Sequence, residues 1–225
     1  MEMKRSLDRD TMLAIDIGTT KIAAVVARRN ERKVIEILGH GIHPCSGLSS
    51  TGIVDLEEIV ASIANACRKA HNHVPDLEMR RAVMAVSGTF IQSQNTIGSL
   101  VLSRHGRAVT QEDIDQSIKA AIVRAVPKDF EVIHPIPRWF RLDETPLIRD
   151  PLGMVGSVLE VDVHLIIGRE SILKNLRRCV VKAGYNVEEL AYQPIASSLS
   201  VLGEEEKNIG VALVDVGGET TSILV

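Results

Sequence analysis

Met12-Leu13-Ala14-Ile15-Asp16-Ile17-Gly18-Thr19-Thr20-Lys21 stands near the start of this 225-residue chain. An apolar run ends in one Asp, turns through a glycine and two threonines, and enters a second strand-like run over 22–27. Val211-Ala212-Leu213-Val214-Asp215-Val216-Gly217-Gly218-Glu219-Thr220-Thr221 repeats the plan near the end. A buried run does not carry a carboxylate cheaply, so an Asp at the exit of both runs points to a shared ligand. Two turns rich in backbone N–H groups, facing each other, would hold a phosphate chain and its metal between two domains.

Working outward, 12–17 and 22–27 read as strands around a tight turn, and 33–39 as a third strand. Residues 39–54 are rich in Gly and Ser and read as a loop. Asp55 and Glu58 form an Asp-x-x-Glu capping box, and Leu56, Ile59, Val60, Ile63 and Cys67 follow at helical spacing. A fourth, buried strand is expected over 81–87. Three strands, a helix and a fourth strand make half of a ribonuclease-H-like α/β fold. A strand over 161–167 and a helix from 170 or 171 to 183, stopped by Gly184, continue it.

Residues 88–160 interrupt this pattern. They hold strand-like pieces at 90–97 and 99–103, and a helix over 111–126 capped by Thr110 and stopped by Pro127. An extended stretch over 131–142 and a Pro/Gly-marked loop at 146–153 follow. This reads as a small α+β module inserted at the exposed turn Ser87-Gly88. The tail carries a short helix at 194–202, an acidic turn at 204–206, and strands at 210–216 and 221–225. The chain stops inside that last strand, whose edge would lack a partner, so it is expected to be a fragment or truncated product.

Composition narrows the function. A 45% hydrophobic content excludes a disordered chain, and a net charge of −3 gives no footprint for nucleic acid. Cys45, Cys67 and Cys179 are too few and too scattered for a disulfide framework, and suit buried apolar positions in a reducing compartment. Residues 1–10 are charged and do not resemble a signal peptide. Residues 82–103 lack charge but contain too many polar groups to span a bilayer. The expected setting is the cytoplasm.

Asp16-Ile17-Gly18-Thr19-Thr20-Lys21 resembles the first phosphate loop of the actin, Hsp70 and sugar-kinase ATPase superfamily. Asp215-Val216-Gly217-Gly218-Glu219-Thr220 resembles the second, and Gln193-Pro194-Ile195-Ala196-Ser197-Ser198 the connecting helix. Within it, Val86-Ser87-Gly88, Thr110-Gln111-Glu112-Asp113, Val132-Ile133-His134-Pro135-Ile136-Pro137 and Asp150-Pro151-Leu152-Gly153-Met154 resemble FtsA, the bacterial actin-like cell-division family. The resemblance runs over 12–225 and covers about the first half of a complete FtsA. It implies an actin-type ATPase domain with an inserted SHS2-like subdomain, truncated in the second domain. The implied division is a disordered 1–10, subdomain 1A over 11–87 and 161–193, inserted subdomain 1C over 88–160, and an incomplete start of 2A over 194–225.

The same resemblance implies an ATP- and Mg²⁺-binding adaptor that polymerises with itself and links FtsZ to the inner membrane at the division site. It also implies recruitment of later division proteins through 88–160, with at most weak ATPase activity. The family's C-terminal membrane helix, FtsZ-docking part and adenosine-binding turn have no counterpart in 1–225, so the chain alone is expected to show no measurable ATP affinity. Two alternatives are a pilus-assembly actin-like ATPase, and a sugar or acetate kinase-like phosphotransferase.

Residue roles follow from these loops. Asp16 and Asp215 are expected to position a hydrated Mg²⁺, or else each caps its turn. Gly18, Thr19, Thr20 and Lys21 would offer N–H and hydroxyl donors to phosphates, with Gly217, Gly218, Thr220 and Thr221 mirroring them. Gln193 stands where the superfamily orders the attacking water, although Pro194 at a helix start explains the same residues. Glu219 replaces a third glycine and would repel phosphates unless it turns outward. His40, His43 and Cys45 have metal-like spacing but no second pair, and Trp139-Phe140 marks either a partner surface or a buried site.

Overall fold

The computed structural model describes residues 11–77 and 79–225. The proposed disordered segment 1–10 lies outside the described residues. Strands β1 (Thr11–Ile17), β2 (Lys21–Arg29) and β3 (Ile35–Pro44) come first. The short β4 (Leu48–Ser49) and β5 (Gly52–Ile53) form a hairpin, followed by helix α1 (Leu56–His71) and β6 (Arg81–Val86). Next are β7 (Ile91–Val101), β8 (Arg107–Ala108), helix α2 (Gln111–Ala125), β9 (Phe130–Leu142) and β10 (Thr145–Ile148). Then come β11 (Val155–Gly156), β12 (Val158–Arg169), α3 (Glu170–Lys182) and β13 (Asn186–Tyr192). Helices α4 (Gln193–Val201) and α5 (Glu204–Ile209) precede the hairpin β14 (Leu213–Val216) and β15 (Thr221–Leu224).

The chain divides into two compact units. The first comprises the residues up to Phe90 together with Ser171–Val225. Its five-stranded sheet has the order β13-β6-β1-β2-β3, with β1, β2 and β3 antiparallel and β6 and β13 parallel to β1. That order is ribonuclease-H-like. Alternation buries Leu13, Ile15 and Ile17 of β1 and Ile22, Ala24 and Val26 of β2 on one face. Helix α1 contributes Ile59, Ile63, Ala66, Cys67 and Ala70 to the core, and each fully buried Leu or Ile stabilises by about 1.5–3 kcal/mol. All three cysteines are buried and free.

Several sequence expectations need correction here. The third strand does not end at Gly39. It runs to Pro44, because Gly39 and Gly41 are where α1 packs against it: a Cβ at Gly41 would overlap the Ala66 carbonyl. Asp55 caps α1 by accepting from the Glu57 and Glu58 amides at 2.9 and 3.1 Å, but the reciprocal half of the capping box is not made. The Asp55 N–H donates to the Gly47 carbonyl at 3.0 Å instead. Strand β13 was not expected, since its two glutamates break the apolar pattern; it forms the sheet edge beside β6. The acidic stretch 204–206 begins α5 rather than a turn, with Glu206 accepting from the Gly203 N–H at 2.7 Å and Lys207 pairing with Glu204 at 2.7 Å.

The second unit is Ile91–Glu170. Its four-stranded sheet has the order β10-β9-β12-β7. The strand expected over 161–167 as part of the parent domain lies in this sheet, as the longer β12 paired with β7 and β9. The expected break at Gly98 is absent. β7 is continuous, because Gly98 lets α2 approach and a Cβ there would overlap the Ser117 carbonyl. Helix α2 packs Ile114 and Ala121 against Val161, Val163, Leu165 and Phe140. Thr110 and Asp113 form a full capping box, and the Asp113 carboxylate also takes two N–H bonds of 2.6 Å from Arg107. Val126, extended before Pro127, ends the helix. Phe140 is 7% exposed and belongs to this core, whereas its neighbour Trp139 is 40% exposed, so the burial reading holds for Phe140 and not for Trp139.

Candidate functional site

The two Asp-bearing runs fold as twin hairpins. In the first, Ile17 pairs with Ile22 and the Gly18 N–H donates to the Lys21 carbonyl at 3.1 Å. In the second, Val216 pairs with Thr221 and the Gly217 N–H donates to the Thr220 carbonyl at 2.8 Å. A Cβ at Gly18 or at Gly217 would stand 3.0 Å from the same carbonyl of its own turn. A side chain at either position would press on the turn's own backbone, so glycine is favoured at matching positions. The two loops also touch: a Cβ at Gly218 would overlap the Thr20 side chain.

Both hairpins line one cleft of about 260 Å³. Asp16, Gly18, Thr19, Thr20 and Lys21 contribute from the first. Asp215, Gly217, Gly218 and Thr220 contribute from the second, and Gln193 from the start of α4. Thr221 is exposed and does not line the cleft; strand alternation brings in Ser222 instead, the residue opposite Asp215 in register. Ser87, just past the end of β6, is a further lining residue that the sequence placed at a strand end and turn but not in the site. β6 runs parallel to β1 with Ala85 beside Asp16, and that register carries Ser87 to the cleft.

The two carboxylates differ in environment. Burial pushes the Asp16 carboxyl up to about 6; Lys21 pulls it down and the negative charge of Asp215 pushes it further up. Asp215 is held by side chains of α4, accepting from the Gln193 amide at 2.6 Å and from the Ser197 hydroxyl at 3.2 Å. Gln193 therefore acts on Asp215 directly, a contact that sequence order alone does not reveal. Glu219 accepts from the Ser50 N–H at 2.7 Å and is not among the residues lining the cleft.

The donor set suits a magnesium-bound phosphate group. Two carboxylates in one cleft, one of them desolvated, favour a divalent cation, and Mg²⁺ needs few protein ligands because it keeps most of its water. Lys21, the hydroxyls of Thr19, Thr20 and Thr220 and the N–H groups of glycine turns are the partners phosphate takes. Among the described residues no group of three or more His, Cys, Asp or Glu side chains encloses a metal site, and His40, His43 and Cys45 form none. His40 instead stacks on His73, with ring centroids 5.4 Å apart. Among the described residues no helix is long and apolar enough to cross a membrane.

Comparison with known proteins agrees with this architecture. Residues 88–167 match the family described as the SHS2 domain inserted in FtsA. Cell division protein FtsA of Bacillus subtilis (strain 168) is 36% identical over 218 residues, covering 97% of this chain and 49% of that protein. The protein of the same name from Escherichia coli (strain K12) is 34% identical over 223 residues, 99% of this chain and 52% of its own length. Among solved structures, the PilM-PilN type IV pilus biogenesis complex has a TM-score of 0.66 at 15% identity, covering 94% of this chain and 56% of that one; the likeness is one of fold, the actin-like ATPase type. The chain spans about half the length of the curated relatives it matches. The SHS2 match and the sequence similarity along nearly its whole length to division proteins of several species make the chain similar to FtsA over about half of that protein's length.

Proposed function

We propose that the cleft grips the phosphate end of Mg-ATP, with Asp16 and Asp215 facing the hydrated cation and the two glycine turns facing the phosphates. What supports this reading is the pairing itself: two hairpins of matching geometry present one carboxylate each to the same cavity. When bound, the cation would neutralise the terminal phosphates and offset the mutual repulsion of the two carboxylates. Gln193 and Ser197 fix the orientation of Asp215. The Gln193 carbonyl oxygen is the group of that side chain left to order a water.

The test uses the chain as it stands. Inorganic triphosphate with Mg²⁺ probes the phosphate end without the adenosine end. Calorimetry at millimolar triphosphate, far above the micromolar range in which the chain is expected to show no ATP affinity, is expected to detect weak binding that Asp16→Asn abolishes. Binding unchanged by that substitution would remove Asp16 from the site, and no binding by the unaltered chain would remove the phosphate reading.

In the FtsA-length protein we propose an adaptor that joins an FtsZ polymer to the cytoplasmic face of the membrane at the division site, self-associates into filaments and takes later division proteins through 88–160. The support is similarity to proteins named for cell division together with the SHS2 domain. Co-sedimentation of the longer protein with FtsZ tests it; failure to co-sediment would favour a different polymer partner.

A further inference from the structure

Glu219 is the residue of the second hairpin loop least explained by phosphate binding, because a carboxylate there opposes an anion. The structure gives it another occupation. Its carboxylate accepts from the backbone N–H of Ser50 at 2.7 Å, across 169 positions of sequence. Ser50 sits at the tip of the β4–β5 hairpin, between the paired residues Ser49 and Gly52. On its other side the Ser50 carbonyl accepts from the Thr89 N–H at 3.0 Å and the Thr89 hydroxyl at 2.7 Å. Thr89 lies two residues after the cleft-lining Ser87, in the segment that runs on into β7. The peptide groups flanking one serine thus bridge the second loop to the 87–90 segment.

We infer that Glu219 is a positioning residue: through the Ser50 hairpin tip it ties the 217–220 loop to Thr89, so that an anion in the cleft and the 87–90 segment act on each other. The ligand half of this inference rests on the phosphate reading of the cleft; the tie itself does not. The Glu219 carboxylate is engaged by the Ser50 N–H, and Glu219 is not among the residues lining the cleft.

Hydrogen exchange of the Ser50 and Thr89 amides in the whole 225-residue chain tests the tie without ligand. Glu219 is exposed, so its replacement leaves the core intact, which far-UV circular dichroism checks. Glu219→Ala is expected to speed Ser50 exchange about tenfold, as for loss of a hydrogen bond to a charged group, and to speed Thr89 exchange as well. Glu219→Gln keeps an acceptor and is expected to restore both amides. A Ser50 amide indifferent to Glu219→Ala, or a faster Ser50 beside an unchanged Thr89, would overturn the tie. With Mg²⁺ and inorganic triphosphate added, Thr89 exchange is expected to slow in the unaltered chain and in Glu219→Gln but not in Glu219→Ala. Equal slowing in all three would overturn the coupling while leaving the cleft reading in place. No binding by the unaltered chain would instead overturn the cleft reading, and the ligand-free exchange would still decide the tie.

Discussion

Replacing Asp16 by Asn is expected to stabilise the chain while removing the proposed cation site. A carboxyl moved from 3.8 to about 6 costs about 3 kcal/mol to ionise in the folded state at neutral pH, and the side chain's partial solvent access trims this to about 1–2 kcal/mol. The sign follows from linkage. Asp16 binds its proton more tightly when folded than when unfolded, so its favourable contribution is complete below pH 3.8 and is lost as pH rises through about 6. Asn carries no such dependence. At pH 7 the Asn variant is expected to melt about 2–6 °C higher than the unaltered chain, and the difference should shrink toward zero near pH 4. Thermal melts followed by circular dichroism across that range measure it. Millimolar Mg²⁺ is expected to raise the melting temperature of the unaltered chain at pH 7 and leave the variant where it was. An Asn variant less stable than the unaltered chain at pH 7, or a difference that does not change with pH, would refute the desolvation of Asp16.

Three further outcomes are expected. Gly98→Ala should destabilise the inserted unit by about 1–3 kcal/mol in a urea melt, because the new methyl meets the Ser117 carbonyl and Ala121 of α2. Asp113→Ala should cost about 2–3 kcal/mol, since Arg107 and Thr110 both lose their acceptor. The Arg107 guanidinium holds the Asp113 carboxyl far below its ordinary 3.8, so that stabilisation persists above 3.8 and disappears only as pH falls through the lower folded value; the melts of the two proteins should converge only in strong acid. Gln193→Ala should weaken Mg-triphosphate binding about tenfold by freeing Asp215, and an unchanged affinity would show that the contact does not matter to the cleft.

The hairpins were legible because their chemistry is local: an apolar run, one Asp and a glycine turn specify both strand exit and cleft. Helices α1 and α2 were legible through spacing and caps at Asp55 and Thr110. Gly39, Gly41 and Gly98 misled for one physical reason. A missing side chain marks a loop when the backbone needs freedom and marks a strand when a helix must come close, and sequence alone does not separate the two. β13 was hidden because an edge strand tolerates Glu188 and Glu189 where a central strand would not. At the cleft, Ser87 enters only through the parallel register of β1 and β6, and Ser222 through the alternation that excludes Thr221. The Gln193–Asp215 and Glu219–Ser50 contacts depend on tertiary proximity, which no local pattern encodes.

The seclusion of all three sulfurs has a practical side. Cys67 sits with its thiol pushed up to about 12 by burial, and Cys45 and Cys179 are buried as well, so maleimide reagents find no exposed thiol on the folded 225-residue chain. Spectroscopic probes placed at designed surface cysteines, for example on either hairpin tip, would report alone, and distances across the molecule become measurable without first stripping out the natural thiols.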